Sequence, residues 1–251
     1  MKQTQPLDIA AEHAGFVAGL EAARRVYRHA AQNDSYGSSG QPFYFVSAPE
    51  LRAMTRAWLA AHRAAADLEI VALVDSLLGG PSHEEKVLAA LVLQASGRAR
   101  RVVGAERVER WLGRLAGWAQ IDALCASCFQ AAEMLADWPA WRGMIQRLSR
   151  SDDINQRRAA LVLLVTPTRT SPDARFPALA FEVIGRLQAE RPILITKAVS
   201  WLLRSMTARH GPEVAAYLEA NAALPAVAVR ETRIKLATGT KSGRSARPGA
   251  A

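Results

Sequence analysis

Apolar residues recur at steps of three and four along nearly the whole chain, and no segment alternates apolar and polar positions for long. Positions three and four apart share one face of an α-helix, so the pattern predicts helices and no strands. We expect these helices at residues 8–32, 48–62, 66–78, 82–96, 104–116, 119–136, 140–149, 153–165, 173–189, 192–208, 212–220 and 225–237.

Several helix starts carry their own signals. Residues 47–50 and 82–85 both read Ser-x-x-Glu, the capping box in which a hydroxyl and a carboxylate bond the free amides of a first turn. Pro172, Pro212 and Pro225 suit a first helical turn and block continuation of the element before them. These signals therefore place helix starts near five positions.

The helices from residue 66 onward are short, amphipathic and closely spaced. This pattern is typical of antiparallel helix pairs stacked in a row, and it predicts an all-α, HEAT-like solenoid with a concave basic groove. A globular helix bundle is the alternative. We expect a single domain over residues 1–237, a Gly/Ser loop at 33–42, and a disordered basic tail at 238–251.

The composition adds a strong positive charge. The formal net charge is +9, the pI is about 10.2, and only five of the 32 basic residues are lysines. A polyanion is the first partner to consider, although the coding bias of a GC-rich genome also enriches arginine.

Two further features bear on the compartment. The chain has neither an uninterrupted apolar run of about 18 residues nor the start of a secretion signal. Its two cysteines are too few for a disulfide framework. We therefore expect no membrane association and a cytosolic location.

Metal and redox motifs are absent from the sequence pattern. Cys125 and Cys128 lack a second pair and a preceding strand, so we interpret them as small residues packed inside a helix. The five histidines show no ligand spacing, and the run that begins at His83, His-Glu-Glu-Lys, is not a metalloprotease motif. We expect neither a metal nor a cofactor.

A tryptophan and a carboxylate stand one helical turn apart at Trp118 and Asp122. Residues at this spacing project from the same face of a helix. The alternative is an ordinary amphipathic turn, with the indole in the core and the carboxylate in solvent.

Two later helices carry basic residues at informative positions. Arg157 and Arg158 open an otherwise apolar helix, where a cation opposes the helix dipole, so a buried or groove-facing partner is indicated. Lys197, Trp201 and Arg204 fall on one helical face. Basic and aromatic side chains are thus interleaved in the second of these helices.

The spacing of these features matches a repeat. Trp118 and Arg157 are 39 residues apart, and Arg157 and Trp201 are 44 apart, both near the length of a HEAT-like unit. One residue per repeat would then point into one groove. Two indoles, a carboxylate and several cations in a groove suit a charged aromatic ligand on a phosphate backbone.

Together these segments resemble the DNA alkylation repair glycosylases of the AlkD type, which are built from HEAT-like repeats. The likeness covers roughly residues 20–238. It includes residues 44–52, Tyr-Phe-Val-Ser-Ala-Pro-Glu-Leu-Arg, which are similar to the family's aromatic-Gly-x-x-x-Pro-x-x-Arg opening, and a late helix with Arg230 and Glu231.

The resemblance implies roles for individual residues. Asp122 would be the catalytic carboxylate beside Trp118, Arg157 would bind the adjacent phosphate, and Trp201 would be the second indole of the site. Further phosphate-contact candidates share a basic side chain in the later helices: Arg158, Lys197, Arg204, Arg230 and Arg233.

The implied function is a monomeric glycosylase that excises cationic N3- or N7-alkylated purines from duplex DNA near the nucleoid. The resemblance also implies that the lesion stays largely stacked, whereas most base-processing enzymes flip it. Two alternatives are a non-catalytic HEAT scaffold that binds nucleic acid and a solenoid that binds protein.

The chain departs from the family pattern at four places. The glycine of the opening motif is missing, Ala119 stands where an acidic residue often follows the tryptophan, and Ile154 replaces a common tryptophan. Residues 166–173 resemble an enlarged loop. Retention of Asp122 is the main reason to expect an enzyme.

Overall fold

A computed structural model describes residues 6–25 and 40–241, and no β-strand occurs within these ranges. The predicted all-α fold is confirmed. The chain divides into two compact units, Met1–Cys128 and Phe129–Ala251, which we describe separately. The expectation of a single domain over 1–237 and that of a concave basic groove stay predictions.

The first unit is built around two central helices. Its described helices are α1 Ile9–Ala22, α2 Ala48–Ala61, α3 Asp67–Gly79, α4 His83–Ala95, α5 Gly97–Arg101, α6 Ala105–Leu112 and α7 Trp118–Cys125. Helix α4 packs against α3, α2 and α7, and α3 also packs against α1. Most leucine and valine side chains of α3 and α4 are fully buried and form the core between them.

The second unit has α13 at its centre. Its helices are α8 Ala131–Ala136, α9 Trp138–Leu148, α10 Ile154–Val162, α11 Val165–Thr170, α12 Arg175–Leu187, α13 Ile193–Met206, α14 Gly211–Ala220 and α15 Ala226–Thr238. Helix α13 packs against α15, α10, α11 and α12. Its buried aliphatic residues alternate with polar ones at helical spacing, as the sequence predicted.

Several predicted boundaries are wrong. The first helix ends at Ala22 rather than 32, and residues 26–39, which include most of the predicted Gly/Ser loop, lie outside the described residues. Helix α5 lies within a stretch expected to be a turn. The expected loop at 166–173 is largely helical, because residues 166–170 belong to α11.

The predicted helix at 119–136 is two helices, α7 and α8. The chain leaves the helix after Cys125, and both Cys128 and Phe129 are fully buried in the segment between. The Cys128 thiol donates to the Ala90 carbonyl at 3.3 Å. The interpretation that both cysteines pack inside the protein is correct, but Cys128 is not helical.

The predicted disordered tail begins too early. Thr238 is the last residue of α15, and the Lys241 ammonium lies 3.5 Å from the Glu231 carboxylate. Residues 242–251, the remainder of that tail, lie outside the described residues.

The predicted capping box at Ser82 forms in full. The Ser82 amide donates to Glu85 Oε2 at 2.8 Å, and the Glu85 amide donates to Ser82 Oγ at 3.2 Å. His13 of α1 also bonds the Glu85 carboxylate, at 2.8 Å. Burial opposes ionisation of Glu85, but the hydrogen bonds from Ser82 and His13 outweigh it and hold the pKa of this carboxyl below its usual value.

Gly80 makes room for this carboxylate. A β-carbon at residue 80 would lie 2.1 Å from Glu85 Oε1, whereas one at the neighbouring Gly79 would meet nothing within 4 Å. Two adjacent glycines thus differ completely in what surrounds them.

Gly80→Ala should lower the free energy of unfolding by about 1–3 kcal/mol, because the methyl group displaces a buried and hydrogen-bonded carboxylate. Gly79→Ala is the matched control and should cause no loss, since alanine suits a helix better than glycine. Urea unfolding of both variants measures the difference. Equal effects of the two substitutions would contradict the close packing of Gly80 on Glu85.

Candidate active site

Trp118 and Asp122 lie on one face of α7, and both side chains are partly exposed. Gly117, just before the helix, has a φ of 76°, a left-handed conformation that glycine adopts without strain. The alternative from the sequence placed Trp118 in the core; the residue is partly exposed, and its indole nitrogen is buried. Both side chains therefore reach the surface of the first unit in part.

The opposite face of α7 is in the interior. Gln120 is 1% exposed, and Ile121, Leu124 and Cys125 are fully buried. The helix is therefore held from one side, and the Trp118–Asp122 face is the side that remains accessible.

Arg157 of α10 is occupied by groups of its own unit. Its Nε and Nη2 donate to the two oxygens of Glu190 at 2.9 and 3.2 Å. Its Nη1 donates to the carbonyls of Ser151 and Asp152 at 2.8 and 2.9 Å. Four of the five N–H donors of a guanidinium are thus committed, so Arg157 has little left for a phosphate.

Arg158 lies in the interior, at 5% exposure, and its Nη1 donates to the Leu194 carbonyl at 2.5 Å. A side chain buried in this way does not reach a DNA backbone. The sequence correctly indicated partners for Arg157 and Arg158, but those partners are protein groups.

Helix α13 carries Lys197, Trp201 and Arg204 at helical spacing. Lys197 is exposed and Trp201 is partly exposed. Arg204 is half-buried, with its Nε 3.3 Å from Glu231 and 3.2 Å from Ser200 Oγ. Burial lowers the pKa of the Arg204 guanidinium, and the charge of Glu231 opposes this shift.

The two candidates on α15 are both exposed. Arg233 forms an ion pair of 2.8 Å with Glu219, and both of these side chains are more than half exposed. Arg230 faces solvent. Both remain accessible to a polyanion.

The structure brings together some of the predicted site residues. Trp118 and Asp122 share a face in the first unit, and Lys197, Trp201 and Arg204 share a helix in the second. A single groove that contains side chains from both units stays a prediction.

Sequence reasoning missed a buried polar cluster at the start of α4. Glu84, Glu85 and Lys86 are 2%, 1% and 5% exposed. The Lys86 ammonium donates to the Gly80 carbonyl. The signal was the uninterrupted polar run at residues 82–86, in which the sequence indicated a capping box and no metalloprotease motif but not burial.

Glu84 holds the aromatic segment that resembles the family's opening motif. Its carboxylate accepts hydrogen bonds from the amides of Tyr44 and Phe45 at 3.1 and 2.7 Å. Phe45 has a φ of 59°, the only positive value of a non-glycine residue in the described ranges. Phe45 stands where the resembled motif has glycine, and its backbone has the positive φ that glycine adopts without strain.

His83 connects this segment to α7. Its ring stacks on Phe43 with centroids 4.6 Å apart, and its Nδ1 lies 3.2 Å from Gln120 Nε2. Burial, reinforced by the charge of Lys86, lowers the pKa of His83 to about 4. The imidazole is therefore neutral near pH 7.

The described residues contain no group of three or more His, Cys, Asp or Glu side chains that could hold a metal ion. Within the same residues, no helix is both long and apolar enough to cross a bilayer.

Comparison with known proteins now identifies the family. The family model described as DNA alkylation repair enzyme matches residues 20–236, which include helices of both units. The chain belongs to this family. Among solved structures, a chain described as "Predicted DNA alkylation repair enzyme from Enterococcus faecalis" is similar, with a TM-score of 0.67 and 17% identity. The match covers 85% of this chain and 97% of that one. No curated protein matches the chain.

At position 45 of this DNA alkylation repair family member, glycine should be better tolerated than alanine. Both Phe45→Gly and Phe45→Ala remove the ring, but only glycine adopts a positive φ freely, so the glycine variant should be more stable by about 1 kcal/mol. Urea unfolding compares the two. A more stable alanine variant would show that residue 45 does not need a left-handed backbone.

The neutral state of His83 should make stability depend on pH. As pH falls below 6.5 the unfolded chain takes up a proton that the folded protein binds only near pH 4, so stability is lost across this window. By pH 4.5 the loss from this residue should be about 2.5 kcal/mol.

His83→Asn places a carbonyl oxygen near the position of Nδ1 and cannot titrate. Unfolding free energies of this variant and of the unchanged protein, measured from pH 7.5 to 4.5, should therefore fall with different slopes. Parallel curves would show that His83 has an ordinary pKa.

Proposed function

We propose that the protein is a DNA glycosylase that excises cationic N3- or N7-alkylated purines from duplex DNA in base excision repair. The observation that supports this most directly is the partly exposed face of α7, where Trp118 and Asp122 stand together on a helix whose other face is buried. Membership of the DNA alkylation repair family supports a role in DNA repair.

Hydrolysis of the N-glycosidic bond of an alkylated base requires mainly electrostatic stabilisation from the protein. Alkylation of a ring nitrogen gives the base a positive charge and makes it a good leaving group, so little general acid power is needed. Loss of the base leaves an oxocarbenium-like sugar. The Asp122 carboxylate stabilises that cation and orients the attacking water, as carboxylates do in glycoside hydrolases.

Trp118 holds the cationic nucleotide by apolar and cation–π contact, worth about 1 kcal/mol at a partly exposed site. Trp201, which is partly exposed on α13, has the same proposed role. The Trp118 contact positions the sugar against Asp122 rather than takes part in bond cleavage.

The proposed phosphate contacts are Lys197, Arg230 and Arg233, which are all exposed. The Arg233–Glu219 pair is exposed on both sides, and such pairs contribute only about 0–1 kcal/mol. Arg233 can therefore exchange Glu219 for a phosphate at small cost. Arg157, Arg158 and Arg204 stabilise the second unit instead, because their guanidinium groups bond its own carboxylates and carbonyls.

Most N–H donors of Arg157 bond protein groups. This observation favours a second candidate function, that of a non-catalytic HEAT-repeat scaffold that binds nucleic acid. Such a scaffold keeps the exposed cations but needs no phosphate clamp beside a reacting sugar. Excision activity separates the two functions.

The proposed glycosylase works as a monomer, without metal or cofactor, in the cytosol beside the nucleoid. A reaction that needs only a carboxylate and water is compatible with that arrangement.

Asp122→Asn should lower the rate of base release by about 100-fold or more while DNA binding changes less than twofold. The amide keeps the shape of the side chain but loses the charge that opposes the sugar cation. Release of 7-methylguanine from methylated duplex DNA gives the rate, and fluorescence anisotropy with the same duplex gives the affinity.

Glu106→Gln is the matched control, because Glu106 is an exposed carboxylate on α6 of the same unit. It should leave the rate unchanged. An Asp122→Asn rate equal to that of the unchanged protein would remove the catalytic assignment. An unchanged protein that binds duplex DNA and releases no base would support the scaffold.

A further inference from the structure

Gln120 has an unusual position for an uncharged polar side chain, since it lies in the interior at 1% exposure. Its Oε1 accepts a hydrogen bond from the Ala116 amide at 3.0 Å. A backbone N–H can only donate, so this contact identifies the oxygen of the side-chain amide. The nitrogen must then point the other way.

The Gln120 nitrogen meets two acceptors. It lies 2.6 Å from Gln41 Oε1 and 3.2 Å from His83 Nδ1. An amide nitrogen has two hydrogens, and both are used when His83 Nδ1 accepts. The lowered pKa keeps the His83 imidazole neutral, and the contact with the Gln120 nitrogen then places its proton on Nε2.

These contacts anchor the start of α7 without capping its first-turn amides. Gly117, the residue before α7, has no side chain that could bond the first-turn amides. Gln120 reaches back to the amide of Ala116 and outward to α4 and to the segment before α2. It therefore ties the first turn of an eight-residue helix to two other parts of the first unit.

Helix geometry relates these contacts to the candidate active site. Each residue advances about 100° around a helix, so Gln120 lies roughly 160° from both Trp118 and Asp122. Any rotation of α7 that moves Asp122 must also move Gln120. Bonds on the buried side thus define the direction in which the carboxylate points.

We infer that Gln120 is a positioning residue for Asp122 and Trp118, acting through its hydrogen bonds to Ala116, Gln41 and His83. The effect on catalysis rests on the proposed glycosylase function, whereas the effect on the orientation of α7 does not. Displacement of a catalytic group by about 1 Å can cost 100-fold in rate, so a small rotation is sufficient.

Gln120→Leu keeps approximately the size of the side chain and removes all three bonds. We expect kcat for release of 7-methylguanine to fall at least tenfold, with the Kd for the same duplex changed less than twofold. Gln41→Ala removes one acceptor without altering the helix, and it should lower kcat about threefold. If Gln120→Leu does not fold, the kcat of Gln41→Ala tests the inference, and an unchanged kcat would contradict it.

Gln146→Leu is the control for loss of stability alone. Gln146 is a partly buried glutamine of α9 in the other unit, where it donates to both oxygens of Glu182 at 2.8 and 3.0 Å. This variant should keep the kcat of the unchanged protein. A fall in kcat equal to that of Gln120→Leu would assign both effects to stability and overturn the inference.

A second measurement is independent of activity. Protein labelled with 5-fluorotryptophan should give a Trp118 resonance, assigned with Trp118→Phe, that shifts or broadens in Gln120→Leu and not in Gln146→Leu. A shifted resonance without any base release by the unchanged protein would support the positioning and refute the proposed function. An unshifted resonance together with an unchanged kcat would refute the positioning alone.

Discussion

Two neighbouring carboxylates, Glu84 and Glu85, are buried where α4 begins, and the first unit depends on meeting their hydrogen-bonding needs. A buried carboxylate without partners is costly by several kcal/mol. Glu84 is satisfied by the amides of Tyr44 and Phe45, and Glu85 by Ser82 and His13. These donors come from the segment before α2, from the start of α4 and from α1. The two side chains therefore connect α4 to α1 and to the segment before α2, whatever the function of the protein.

Much of the fold could be predicted because its signals are local. Helical periodicity and the capping box at residues 82–85 depend on residues within one or two turns, and they gave the positions of most helices. The break after Cys125 could not be predicted in this way. It has no proline or glycine, and it is associated with the burial of Cys128 against the Ala90 carbonyl, 38 residues earlier. Periodicity does not report contacts over such distances.

The same distinction explains which features of the candidate site the sequence could indicate. The shared face of Trp118 and Asp122 follows from a spacing of four residues. The roles of the arginines depend on partners far along the chain, since Glu190 is 33 residues from Arg157 and Leu194 is 36 from Arg158. Gln120 was overlooked for this reason too, because its partner Gln41 is 79 residues away. A glutamine in an apolar stretch is uninformative until those partners are known.

The closeness of Gly80 and Glu85 has a consequence for how this family can change over evolution. A glutamate of this length at position 85 requires a residue without a β-carbon at position 80, and a shorter acid would free that space but release His13 and the Ser82 amide. A substitution at either position alone therefore lowers the stability of the protein. In relatives that share this turn, the two positions should be replaced together, so an alignment of them would show paired substitutions rather than two independent histories.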